Sequence, residues 1–220
     1  MSELLVTGII IAYLAVSVGI GLFASRSGTS SLKDFSISSS GLKYFVAFFS
    51  LMATSFSAAT ILGFVGYYYG FGIGPFIALV GGYALIVGPL YYYLGPKIWR
   101  LGKERGHVTP ADFIRDLTDS PRAGYAVSVL MVVSLVPYLV AQFIGLGLVF
   151  NLATANTISY ELGAGLIALM MIIYTARGGM KSVAWVDTFQ GVLLFGAAIF
   201  GGLAVMFVSG NGFMSSITSL

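Results

Sequence analysis

The sequence predicts an all-α membrane protein, and three observations carry that reading. Of its 220 residues, 58% are hydrophobic and only 9% are charged, whereas a soluble domain carries about 25% charged residues. Most of this surface cannot face water. The charges are also clustered, and the uncharged stretches between them reach the roughly 20 residues that cross a hydrocarbon core of about 30 Å. Finally, one threading puts all eleven Lys and Arg residues on the same side, from Arg26, Lys33 and Lys43, through Lys97–Arg122, to Arg177 and Lys181. This is the positive-inside pattern, and it predicts a multi-pass cell-membrane protein with its N-terminus outside. Of the acids, only Glu3 and Glu161 then fall outside.

The first span is Leu4–Phe23. It lacks the basic start of a signal peptide, so it reads as a retained helix. The Ser/Gly-rich stretch that follows, up to Lys43, reads as a loop. The uncharged run from Tyr44 to Pro96 is too long for one span. Its turn signals lie at Tyr67–Pro75, where glycines and a proline follow three tyrosines suited to a headgroup belt. The second span is therefore Tyr44–Gly66 and the third Phe76–Leu94.

Gly95–Arg122 reads as a basic, polar inner segment. Within it, Thr109-Pro110-Ala111-Asp112 has the chemistry of a helix start: a capping hydroxyl, a proline in the first turn and an acid at the positive dipole end. Phe113, Ile114 and Leu117 would seat that short helix at the interface. The fourth span, Ala123–Phe150, is interrupted by Pro137. The fifth is Ile158–Ala176, Gly178-Gly179 is a tight turn, and the sixth runs from Val183 to Met206, leaving through Ser209-Gly210-Asn211-Gly212.

Composition also excludes functions. There is no cysteine, so disulfides, thiolate metal sites and Cys nucleophiles are ruled out. The cations border the spans and follow a topology rule, so they do not point to nucleic acid. The one histidine, His107, lies in the charged inner segment and reads as a solvated side chain. An intramembrane enzyme needs a nucleophile and base, or metal ligands, at membrane depth. No span contains His or Cys, so an enzyme is not expected.

Three places carry polar groups at depth. The second span contains Ser50, Thr54, Ser55, Ser57 and Thr60 among alanines, and Ser55 lies about 16 Å from its inner end, near the bilayer centre. Small residues and hydroxyls of this kind serve close helix packing. They equally suit a broken helix whose freed carbonyls bind a cation and whose second half starts at a substrate. In the fourth span Pro137 frees a carbonyl, and Tyr138 and Gln142 share a face. That face bonds a neighbouring helix or lines a cavity. In the sixth span Asp187 lies about 9 Å of helix past Lys181, with Gln190 on the same side. It is either an interface acid paired with Lys181 or Arg177 or a functional carboxylate.

Three segments resemble the sodium:solute symporter family: Ala53-Thr54-Ser55-Phe56-Ser57-Ala58-Ala59-Thr60-Ile61-Leu62-Gly63, the inner-loop Thr109-Pro110-Ala111-Asp112-Phe113, and Gly178-Gly179 through Asp187 to Gln190-Gly191. The resemblance implies a leucine-transporter-type inverted-repeat fold. Residues 1–43 would hold a peripheral first helix and inner loop, and residues 44–220 the first repeat. It implies Na+ as the coupling ion, held partly by the backbone carbonyls of Ala53 and Phe56. Asp187 would sit near the inner sodium path, and Ser55, Ser57, Tyr138 and Gln142 would line a cavity for a small organic solute. Proline-transporting members carry an acid where this chain has Ser55, which argues against proline. The family has roughly thirteen spans against about six here. The expectation is therefore the N-terminal portion of a longer symporter embedded in lipid, with the second repeat supplied in cis or in trans. The rival is a non-transporting structural or assembly subunit, in which the polar cluster only packs helices.

Overall fold

The first apolar run forms α1 (Ser2–Ser25), followed by α2 (Leu32–Ile37), α3 (Tyr44–Ser55), α4 (Ala58–Phe71), α5 (Ile73–Arg105), α6 (Pro110–Thr118), α7 (Pro121–Ala153) and α8 (Tyr160–Val208). The computed structural model describes residues 2–26, 31–37 and 42–208 and contains no strand among them. The expected exit through Ser209–Gly212 lies outside the described residues.

Four helices are long and apolar enough to cross a membrane: Leu5–Ser25, Ile73–Arg105, Pro121–Ala153 and Tyr160–Ala204. A fifth candidate is the pair Tyr44–Ser55 and Thr60–Phe71, bent by 44° at a short break. The six expected spans fall on these candidates to within a few residues at their ends, the last two both on Tyr160–Ala204.

α8 covers 49 residues, far longer than one crossing needs. It breaks at Gly179, where φ is 53° and ψ is −144°. A β-carbon placed on Gly21 of α1 would meet Tyr174 Cβ at 2.5 Å and Val186 Cγ2 at 3.2 Å. Residues twelve apart on one straight helix would sit about 18 Å from each other, so the chain folds back at the glycine. Residues 160–178 and 180–208 are thus two arms resting on α1. Met170, Tyr174 and Val186 form the buried centre of this contact, with Leu14 and Val18 of α1 packed on it. Gly179 is required twice over, because a β-carbon there would strike the Phe35 carbonyl and ring of α2 as well as strain the left-handed backbone.

Three expectations need correction. The segment read as a loop before Lys43 contains α2, which is held by packing on the Gly178-Gly179 turn. The Tyr67–Pro75 turn contracts to Gly72 alone (φ 83°), with α4 running to Phe71 and α5 starting at Ile73. The helix of the third span does not end at Leu94 but continues past Pro96 to Arg105. Apolarity marks where a membrane ends, whereas Lys, Arg and Leu are good helix formers beyond it.

The short helix α6 starts as expected and more completely. Thr109 Oγ1 accepts the Asp112 amide at 3.2 Å, and Asp112 Oδ2 accepts the Thr109 amide at 2.9 Å. These bonds hold the Asp112 carboxyl below its ordinary range, the Thr109 backbone amide contributing most. His107 is not a solvated side chain. It is 11% exposed, its Nε2 lies 3.2 Å from Asp116 Oδ2, and Arg105 Nη1 reaches the same oxygen at 2.6 Å. The Arg105 hydrogen bond is the main reason the Asp116 carboxyl is held low.

Candidate ion and solute site at the broken span

The second span is not a continuous helix. α3 ends at Phe56 (φ −93°, ψ 74°), whose amide still donates to Met52 O. Ser57 is extended (φ −90°, ψ 167°) and caps α4 by accepting the Thr60 amide at 3.1 Å. Thr60 Oγ1 donates to Ser55 O at 3.1 Å. Among the described residues, the hydrogen bonds at the break therefore use the carbonyls of Met52 and Ser55 and leave out those of Ala53 and Phe56. The sequence explains the form of the break. Ser57 is a strong N-cap, and the hydroxyls of Thr54 and Ser55 bond back to Ser50 O and Leu51 O, which loosens the last turn.

Beside the break lies an almost wholly apolar cavity of about 450 Å³, lined by Phe56, Thr60, Ile61, Phe64, Tyr68 and Phe76, among others. Thr60 lines it, and the Thr60 hydroxyl is engaged with Ser55 O and Ser57 Oγ. Ser55 is exposed and Ser57 half-buried at its edge in sequence. Tyr138 is exposed and Gln142 half-buried on α7, and neither lines this cavity.

Asp187 is half-buried and accepts a hydrogen bond from Ser50 Oγ at 3.0 Å. Thr188 donates to Ala184 O at 2.6 Å within its own helix and lies 3.4 Å from Val46 O of α3. A β-carbon on Gly191 would stand 2.7 Å from Phe49 O, so this glycine lets the two backbones approach closely. The carboxylate thus belongs to a seam that fixes α3 to the second arm of α8. Tyr13 of α1 stacks on Phe189, with ring centroids 6.1 Å apart.

Sequence reasoning passed over Ser50 as the partner of this acid and Tyr13 as the ring that stacks beside it on Phe189. Each is a polar residue on a face that also carries apolar neighbours, and only the long-range contact reveals its role.

The family profile described as Sodium:solute symporter family matches residues 35–219, from α2 through both arms of α8. The chain belongs to the sodium:solute symporter family. It is therefore a member of a membrane transporter family and not of an enzyme family.

This symporter-family chain is 26% identical over 195 residues to the uncharacterized symporter YhjB of Bacillus subtilis, covering 89% of the chain and 40% of that relative. It is 29% identical to the sodium/pantothenate symporter of Escherichia coli, covering 86% of the chain and 39% of the relative. It is 26% identical to a sodium/proline symporter of Staphylococcus aureus, covering 86% and 37% respectively. The chain thus spans about 40% of the length of the curated relatives it matches. No solved structure matches it.

Proposed function

We propose that this chain forms part of a sodium-coupled symporter for a small organic solute. One observation carries the reading: the second span breaks at Phe56-Ser57 with the carbonyls of Ala53 and Phe56 outside its hydrogen-bond ladder. Unwound backbone at membrane depth is tolerated where it is buried in protein or lines a cavity. In secondary transporters such carbonyls coordinate the driving cation while the start of the second half-helix faces the solute. Here Ser57 and Thr60 occupy that start and the apolar cavity adjoins it. The chemical fit to Na+ is partial, since two carbonyls do not complete a shell of oxygen ligands. The remaining oxygens would come from the second repeat, in cis or in trans.

On this reading α3 to α8 are the first inverted repeat, α1 is peripheral, and the chain crosses the membrane six times. The fold-back at Gly179 supports two crossings by α8. It also gathers Arg26, Lys33, Arg177 and Lys181 near one end, because Ser25 and Phe35 both pack on the Gly178-Gly179 turn. The positive-inside rule makes that end cytoplasmic and the N-terminus external. Sodium occupancy would stabilise the outward-open state, after which solute binding lets the core rock inward.

The test is uptake by proteoliposomes holding the full-length transporter, with a labelled panel of monocarboxylates, pantothenate, urea, sugars and amino acids, with and without a sodium gradient. One solute class should accumulate only with sodium, and Ala53→Trp should lower that uptake by about a hundredfold by displacing the ligand carbonyls. Sodium-dependent uptake that survives Ala53→Trp would refute the site.

A further inference from the structure

A second feature lies away from the broken span, between α1 and the second arm of α8. It is a groove of about 710 Å³ with almost wholly apolar walls, lined by Gly19, Ile20 and Phe23 on one side and by Lys181, Trp185 and Val192 on the other. Its ends differ in chemistry. Lys181 stands at the end near the Gly178-Gly179 turn, Arg177 lies across that turn at the end of the first arm and is exposed, and the Arg26 guanidinium sits over the Phe23 ring 5.8 Å from its centroid. Toward Val192 the lining carries no charge. From Lys181 to Val192 the helix rises about 16 Å, which is close to half of a hydrocarbon core of about 30 Å. Trp185 is 45% exposed and Phe23 72% exposed, with the aromatic rings set just inside the cations. That is the order in which aromatic belts and basic anchors meet a leaflet.

We propose that this groove binds one anionic phospholipid of the leaflet at the basic end, with an acyl chain along Gly19 and Val192 and the headgroup phosphate at Lys181, Arg177 and Arg26. The groove is one leaflet deep, which suits an acyl chain. Lys181 in the lining, with Arg26 and Arg177 next in the chain to Ser25 and Gly178, which meet at the turn, complements a net negative headgroup and gives a zwitterionic one less advantage. The site requires only that the chain crosses a membrane, so it stands or falls separately from sodium coupling.

Trp185 reports on the groove directly: these 220 residues hold one other tryptophan, Trp99, and Trp99→Phe, with any tryptophan outside them replaced by phenylalanine, leaves Trp185 alone. The full chain carrying Trp99→Phe is reconstituted in bilayers containing increasing fractions of bromine-labelled phosphatidylglycerol or bromine-labelled phosphatidylcholine, and Trp185 fluorescence is measured. Half-maximal quenching should need about fivefold less phosphatidylglycerol than phosphatidylcholine, and Lys181→Gln should abolish that difference. Gly19→Leu gives a second readout. A β-carbon there meets no atom within 4 Å, so the leucine fills the groove without disturbing the helices. Quenching by both lipids should fall while far-UV helicity is unchanged. Equal quenching by the two lipids, a preference that survives Lys181→Gln, or quenching unaffected by Gly19→Leu would each overturn the proposal. So would an absence of quenching by either lipid, which would mean that protein covers the groove.

Discussion

The two halves of the broken span are held in different ways. α3 is seated on the second arm of α8 by a hydrogen bond from Ser50 to Asp187, by Thr188 beside Val46 O, and by a glycine that lets Phe49 O approach. α4 touches α5 and α7 through ring contacts such as Phe64 and Tyr68 on Phe76. The glycines of α4, Gly63 and Gly66, face open space. The first half is fixed by directional bonds and close backbone approach, whereas the contacts described between the second half and α5 are between aromatic rings. On the proposed function, the break at Phe56-Ser57 would serve as a hinge between these two differently seated halves, which an unbroken rod would not provide.

Glycine substitutions test this contrast most severely. Gly191→Leu drives a side chain into the α3 backbone and should cost about 3 kcal/mol, the upper part of the range for overpacking. Gly63→Leu on α4 should change stability by less than about 0.5 kcal/mol. Thermal unfolding in detergent compares the two, and equal losses would erase the distinction between the halves. Ser50→Ala leaves a half-buried carboxylate without its hydroxyl donor and should cost about 2 kcal/mol, whereas Ser55→Ala removes only a bond within its own helix and should cost well under half of that. Gly179→Ala, at a φ of 53° and against Phe35, should destabilise the fold-back by about 1–2 kcal/mol from backbone strain alone.

The smallest effect is at the inner helix α6, far from the hinge. Thr109→Ala should cost about 1 kcal/mol locally. Because Thr109 holds the Asp112 carboxyl low in the folded state, the contribution of Asp112 is complete above the unfolded carboxyl pKa and is lost as pH falls through the lower folded value. Asp112→Asn should flatten that acid-side loss, which amide exchange across α6 would register.

Much of the fold was legible because its causes are local. Apolar runs bordered by cations gave the spans, and Thr109-Pro110-Ala111-Asp112 gave a helix start whose bonds lie within four residues. Gly178-Gly179 gave the reversal between the last two spans. The misses have non-local causes. Six-residue α2 exists because Phe35 rests on a turn more than a hundred residues away, and no property of Leu32–Ile37 alone announces that. α5 outruns its apolar run because helix propensity persists where hydrophobicity stops.

At the site, the Ser/Thr/Ala cluster left both packing and unwinding open. The backbone at Phe56-Ser57 chooses unwinding there, while Ser50 of the same cluster packs. Asp187 was visible as an acid at depth, but its partner Ser50 lies 137 residues earlier in the chain.

The central claim is that the break at Phe56-Ser57 responds to sodium, and cysteine accessibility measures this directly. These 220 residues hold no cysteine, so Thr60→Cys in the membrane-embedded full-length transporter, with any cysteine outside them replaced by serine, gives one label site at the start of α4. The account predicts that sodium, but not equimolar potassium, slows maleimide labelling at this position, and that adding Ala53→Trp removes the difference. Identical labelling rates in sodium and potassium would contradict it.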